Sequence, residues 1–252
     1  MAASLELLEA ICHEVRKGIL EITLNAQSGH IGGCLSSVEL MVALYFGGVA
    51  RIDIQDPSHP ERDRILVRGH LGPLRYKLFS LLGWIPEDEL KRYRRLGSML
   101  QGHEDMTKVP GIDITPSGSL GMLVSYGVGA AVALRRERRT SRVYVFLGDG
   151  EEQEGNVSEA ARHAAHLHLS NLICVMDRNG KQLSCTTARV DSAVAIDALW
   201  RAYGWEVIHV EDGHSLSVIL DAYRSLSASL RPALLIADTI KGRGLPGADP
   251  LC

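Results

Sequence analysis

The sequence predicts an α/β fold, a parallel sheet with helices on both faces, and three observations carry that prediction. Continuous apolar runs recur at Val143–Leu147, Leu172–Met176 and Ala233–Ala237, as strands buried on both faces require. Between them lie segments with apolar residues at helical spacing. The strands also end in turn-forming residues, Gly148-Asp149-Gly150 after the first and Asp177-Arg178-Asn179-Gly180 after the second, which is where an alternating strand–helix chain reverses.

Along the chain, Leu5, Leu8, Ile11, Val15, Ile19 and Ile22 fall at helical spacing. Ser28 to Gly33 is too glycine-rich to continue that helix. Ser36-x-x-Glu39 reads as a capping box opening a helix over Ser37–Phe46. Arg64–Val67 is a short strand, a helix runs from about Leu71 to Leu82, and Pro86 begins another. Gln101–Ser119 is irregular, carries His103, and is long enough to suggest a functional loop. It leads into a helix rich in small residues, among them Gly121, Gly127, Gly129, Ala130 and Ala131, suited to close packing. Gly127-x-Gly129 lacks the third glycine and the preceding strand of a dinucleotide fingerprint. Asn156-x-x-Glu159 is expected to cap a helix reaching about His168. Helix 193–203, strand Glu206–Val210 and helix Leu216–Leu230 complete the pattern. With no internal repeat, low-complexity segment or linker, one domain over residues 1–252 is predicted.

Bulk properties exclude several classes. A net charge of −3 gives no footprint for nucleic acid, and the basic runs Lys91–Arg95 and Arg135–Arg139 read as solvated helix ends. No apolar stretch reaches membrane-spanning length. The five cysteines are scattered without paired metal-type spacing, and the amphipathic start carries acidic residues unlike a leader. A soluble, cytoplasmic protein with free thiols is expected.

The chemistry lies at strand ends, where ligands gather in open parallel sheets. Right-handed crossovers bring the Asp149 and Asn179 loops to the same edge. A carboxylate, an amide oxygen and a backbone carbonyl form a hard, all-oxygen set suited to Mg²⁺ when phosphates supply the other ligands. The glycines flanking Asp149 let the backbone approach phosphate oxygens. Gly-Asp-Gly alone is a common turn; Asn179 after the next strand is what favours a site. Among ten histidines, His30, His70 and His103 each follow a glycine in a distinctive segment, whereas His163 and His166 at i, i+3 lack a third ligand.

The run GDGEEQEGNVSEAARHAAHLHLSNLICVMDRNGKQLS resembles the thiamine diphosphate motif of transketolases. SGHIGGCLSSVELMVALYF, RDRILVRGHLGPLRYKLFSLLGW and QGHEDMTKVPGIDITPSGSLGMLVSYGVGAAVAL resemble further segments of that family, as do WRAYGWEVIHVEDGHS and TIKGRG. The resemblance spans nearly the whole chain and is closest to the N-terminal, diphosphate-binding subunit of a split, two-component transketolase. It implies the diphosphate-binding domain of the thiamine-diphosphate fold, with thiamine diphosphate and Mg²⁺ (or Ca²⁺ or Mn²⁺) as cofactors. Asp149, Asn179 and the carbonyl of Lys181 fall at the metal positions. Gly148, Gly150 and Asn179 fall where the main chain meets the diphosphate, His70 lies near it, and Gly118, Ser119 and Leu120 flank the thiazolium. His30 and His103 match substrate-facing histidines. Glu154 matches a glutamate that communicates across the subunit interface.

That family transfers a two-carbon ketol unit from a ketose donor to an aldehyde acceptor. The resemblance therefore implies a separate C-terminal transketolase subunit, pyrimidine-binding and supplying the activating glutamate, in an α₂β₂ assembly. Two other readings are a hybrid delivering the unit to a carrier protein, and a non-catalytic scaffold subunit. Met122 and Ser215 stand where the family commonly has Gln and Asp. A histidine expected beyond KGRG is absent; a neighbouring group replaces it, the sequence is shortened, or donor and acceptor differ.

Overall fold

The computed structural model describes residues 3–114, 119–183, 185–191 and 195–246. Helices α1 (Leu5–Ala26), α2 (Ile31–Ser36) and α3 (Val38–Phe46) precede strand β1 (Arg64–Val67). A 3₁₀ turn (Gly69–Leu71) leads into α4 (Gly72–Leu81), and a second covers Glu87–Arg92. Then follow α5 (Met122–Arg136), β2 (Val143–Gly148), α6 (Asp149–Glu152), α7 (Gly155–His166) and β3 (Leu172–Arg178). The remainder is α8 (Thr187–Val190), α9 (Ile196–Ala202), β4 (Glu206–Val210), α10 (Leu216–Ser227) and β5 (Ala233–Asp238).

The five strands of the sheet pair in parallel, in the order β1-β2-β3-β5-β4. The α/β prediction is borne out, with the period-2 alternation of each strand feeding two cores. Tyr144, Phe146, Ile173, Val175 and Leu235 face the layer containing α1, α3, α4 and α10. Val145, Leu147, Cys174, Met176 and Leu234 face the layer of α5, α7 and α9. The small residues of α5 do serve close packing, with Gly127 directly against Val145 of β2.

Four local expectations are corrected, each by a tertiary contact. The expected break after the first helix is present, with α1 ending at Ala26 and Gln27 left-handed, but it stops short of the last glycines: α2 begins at Ile31 and includes Gly32 and Gly33, whose bare faces admit Lys241, Arg68 and Leu71. The Ser36–Glu39 capping box does not form, because both Ser36 and Ser37 hydroxyls donate to Asp177 and Glu39 accepts from Arg16. Asn156 caps nothing: α7 starts at Gly155, and the amide oxygen of Asn156 accepts from Ser125. Strand β3 runs on through Asp177 to Arg178, so Asp177 is a fully buried strand residue rather than a loop residue. The start of the helix expected over 193–203 lies outside the described residues; α9 occupies Ile196–Ala202.

Candidate functional site

Strands β2 and β3 are neighbours in register, Gly148 opposite Asp177, and this places Asp149 and Asn179 together at the carboxyl edge. They line a cavity of about 420 Å³ with Gly148, Gly150, Leu120, Lys181, His30 and His70, joined by Arg68, Glu151 and Lys241. Asp149 is 3% exposed. Its oxygens accept from the backbone N–H groups of Gly150 (2.9 Å) and Gly180 (2.6 Å). Burial pushes its carboxyl up to about 6, with the nearby Asp177 charge adding to the rise and the Gly180 N–H opposing it. Among the described residues both of these donors are backbone groups, and burying a carboxylate without a charged partner is costly.

Asn179 is oriented from both sides. Its amide N–H donates to Asp177 (3.2 Å), and its amide oxygen accepts from the Lys181 N–H (3.2 Å). Asp177 in turn accepts from Ser36 (2.7 Å), Ser37 (2.9 Å), Arg68 (2.5 Å) and Thr239. Burial works against its ionised form, but Arg68 and these hydroxyls prevail and hold the carboxyl below its usual range. Arg68 thus lies clamped beside Gly148, where any Cβ would collide with its guanidinium. The glycine makes room for this cation.

His30, His70 and His103 converge from three separate segments. Ring centroids are 4.8 Å apart for His30–His70, 5.4 Å for His70–His103 and 5.9 Å for His30–His103. His103 packs on Gly69, where a Cβ would come within 2.6 Å of its ring. Burial lowers the proton affinity of all three, reinforced by Arg94 at His30 and His103. His70 is held down to about 4, by burial first and then by His30, Arg68, His103 and Lys241. The rings are therefore neutral near pH 7, each with one donor and one acceptor nitrogen.

Loop residue Glu104 is 0% exposed and pairs with Arg75 of α4 at 2.8 Å. That pair ties the loop carrying His103 to the helix that follows the His70 turn. Gln101 and Gly102 carbonyls accept from Tyr76 and Tyr93 in the same cluster.

Of the remaining expected residues, Leu120 lines the cavity and Lys181 borders it. Ser119 is exposed at the helix approach, and Gly118 lies outside the described residues. Glu154 stands apart from the cavity lining, exposed at the boundary of α7. Sequence reasoning assigned no role to Glu151, Asp177 or Lys241. Glu151 accepts from the N–H groups of Gly121 (3.1 Å) and Gly148 (3.4 Å), tying the approach of α5 to β2. Lys241 enters the cavity because the Gly242 N–H donates to the Gly32 carbonyl. A charged residue directly after or within a buried strand was the one signal pointing to Asp177 and Arg68.

The depressed His70 has a consequence for stability. Above pH 6.5 it is neutral whether the chain is folded or not. Between pH 6.5 and about 4 the unfolded chain takes a proton that the folded chain refuses, so stability falls as pH falls through that window. The full shift corresponds to roughly 3 kcal/mol, and solvent screening of a half-buried ring reduces this to about 1–2 kcal/mol. In urea unfolding of chelator-treated protein across pH 4–7 the unsubstituted chain is expected to lose more stability than His70→Asn as pH falls, because the raised Asp149 and Glu104 carboxyls act in the opposite sense equally in both chains.

Comparison with known proteins shows the family. Residues 9–250 match the family model for the transketolase, thiamine diphosphate binding domain. The chain is 38% identical over 232 residues to the 6-deoxy-6-sulfo-D-fructose transketolase subunit SqwG of Clostridium sp. (strain MSTE9), covering 91% of this chain and 83% of that protein. It is 36% identical over 242 residues to an apulose-4-phosphate transketolase subunit of Phocaeicola vulgatus, covering 95% and 85%. The crystal structure of transketolase from Campylobacter jejuni superposes with a TM-score of 0.91 at 26% identity, over 97% of this chain but only 39% of that one. The chain belongs to the transketolase family, as its thiamine diphosphate binding domain.

Proposed function

We propose that this chain is the diphosphate-binding subunit of a two-component transketolase that moves a two-carbon ketol unit from a ketose donor to an aldehyde acceptor. One observation carries the reading: Asp149 and Asn179 lie directly beyond the carboxyl ends of the neighbouring strands β2 and β3, in one cavity with His30 and His70. The relatives named as transketolase subunits support the two-component arrangement, since the chain spans 83% and 85% of their lengths.

In this reading Asp149, Asn179 and the Lys181 carbonyl hold Mg²⁺, which the all-oxygen donor set suits. The fit rests on Asp149, whose burial leaves its charge in need of a cation. Arg68 and Lys241 supply positive charge for the diphosphate, with Gly148, Gly150 and His70 beside it. Gly118, Ser119 and Leu120 flank the thiazolium. Bound there, thiamine diphosphate supplies the electron sink for cleavage next to a carbonyl. His30 and His103 hydrogen-bond the donor's hydroxyl and carbonyl oxygens and move protons there, which neutral imidazoles can do at physiological pH. Glu154, exposed and outside the cavity, faces the partner. We place the assembly in the cytoplasm as an α₂β₂ tetramer with a pyrimidine-binding subunit.

Partner dependence tests this assignment. The chain alone is expected to give no ketol transfer, and activity should appear when it is mixed with the pyrimidine-binding subunit encoded by a neighbouring gene. Turnover by the chain alone would sink the two-component reading.

A further inference from the structure

We propose that His30, His70 and His103 form a site for a borderline-soft divalent transition metal ion, with Zn²⁺ as the type ligand, bound through three imidazole nitrogens in competition with the donor. The metal binding stands on its own geometry; only the competition rests on the reading given under Proposed function.

One ligand nitrogen from each ring lies within 4.8 Å of the other two. Imidazoles bound to one tetrahedral ion at about 2.0–2.1 Å hold their ring centres roughly 5 Å apart. The ring centres here are already 4.8, 5.4 and 5.9 Å apart. The backbone therefore supplies the spacing, and rotation of the side chains brings the nitrogens to the roughly 3.3 Å separation that such an ion imposes. His30 Nδ1 is buried and has no hydrogen-bond partner; an unpaired buried nitrogen is costly and gains from a ligand. The rings meet at 86°, 65° and 44° rather than stacking.

Donor chemistry separates this site from the Asp149–Asn179 set. Three neutral nitrogens favour Zn²⁺, Co²⁺ or Cu²⁺, whereas carboxylate and amide oxygens favour Mg²⁺. His30 and His70 line the cavity, so the ion's fourth position opens where substrate oxygens would lie. Arg94, Arg68 and Lys241 oppose a dication electrostatically, which makes the site reversible and inhibitory rather than structural. The exposed pair His163 and His166 on α7, stacked at 6.3 Å without a third ring, provides an internal control.

Co²⁺ is a spectroscopic probe of this arrangement. Titrated into chelator-treated chain without thiamine diphosphate, Co²⁺ is expected to bind one-to-one with the visible band of tetrahedral nitrogen coordination. Zn²⁺ should displace it, and excess Mg²⁺ should not. His30→Ala or His103→Ala should weaken binding roughly tenfold or more, with the joint His163→Ala and His166→Ala changes leaving it unaltered. Should a variant fail to fold, paramagnetic shifts of three histidine rings in the unsubstituted chain give the same answer. An octahedral spectrum, or a band lost only when His163 and His166 are changed, overturns the site. In the assembled enzyme Zn²⁺ should raise the KM for the donor with kcat unchanged; a fall in kcat alone overturns the competition. Failure of the functional reading itself would appear separately, as absent Mg²⁺-dependent cofactor binding.

Discussion

Replacing Asp149 with alanine is expected to weaken Mg²⁺-dependent thiamine diphosphate binding by about a hundredfold or more, equivalent to roughly 2.7 kcal/mol. Asp149 is the charged member of the proposed protein ligand set, and Mg²⁺ binds through one or two carboxylates plus phosphates. An amide and a carbonyl alone leave the ion's charge matched only by the diphosphate. The fold should not suffer equally. Burial holds the Asp149 carboxyl up near 6, so the native state keeps its proton longer than the unfolded chain does. This term therefore removes stability as pH rises through that value. Near pH 7 the cofactor-free Asp149→Ala chain is thus expected to melt no lower than the unsubstituted chain. Calorimetric titration and thermal melts, run together, separate the effects. A variant that binds cofactor normally, or one that loses binding only because it unfolds, contradicts the assignment.

Arg75→Met is expected to cost about 3–5 kcal/mol of stability, because it leaves the buried Glu104 carboxyl either uncompensated or forced to take up a proton. Arg75 is 1% exposed and Glu104 is 0% exposed. Burial already raises the Glu104 carboxyl to about 7 with the arginine present and pulling downward. The guanidinium also donates to the Ile65 carbonyl (2.8 Å) and the Gly111 carbonyl (3.3 Å), so its loss frees strand β1 from the loop that carries His103. Combining Arg75→Met with Glu104→Met should recover much of the loss, since an apolar pair leaves no uncompensated charge. Urea denaturation of the single and double variants measures this. A single variant within about 1 kcal/mol of the parent, or a double variant as unstable as the single, rejects the interpretation.

These two sites show what the residues announced and what they concealed. The Asp149–Asn179 pair was legible because parallel strands and right-handed crossovers fix which strand ends meet. The histidines were legible only through their segments, and their convergence within 5.9 Å depended on packing no periodicity encodes. Asp177 was hidden because its donors come from residues 36, 37, 68 and 239, elements distant in sequence. The two capping motifs misled for the same reason: Ser36 and Asn156 have the chemistry of helix caps, but tertiary partners claimed their side chains first. Gly32 and Gly33 likewise read as a break, because nothing in the local sequence shows Lys241 and Arg68 packing against them.

The most direct measurement is a titration of thiamine diphosphate into the chain together with its partner protein, with Mg²⁺ and with chelator. Saturable binding that requires the divalent ion, and that fails in Asn179→Ala, is the predicted result. Equal affinity with and without the ion, or binding indifferent to Asn179, would contradict the account.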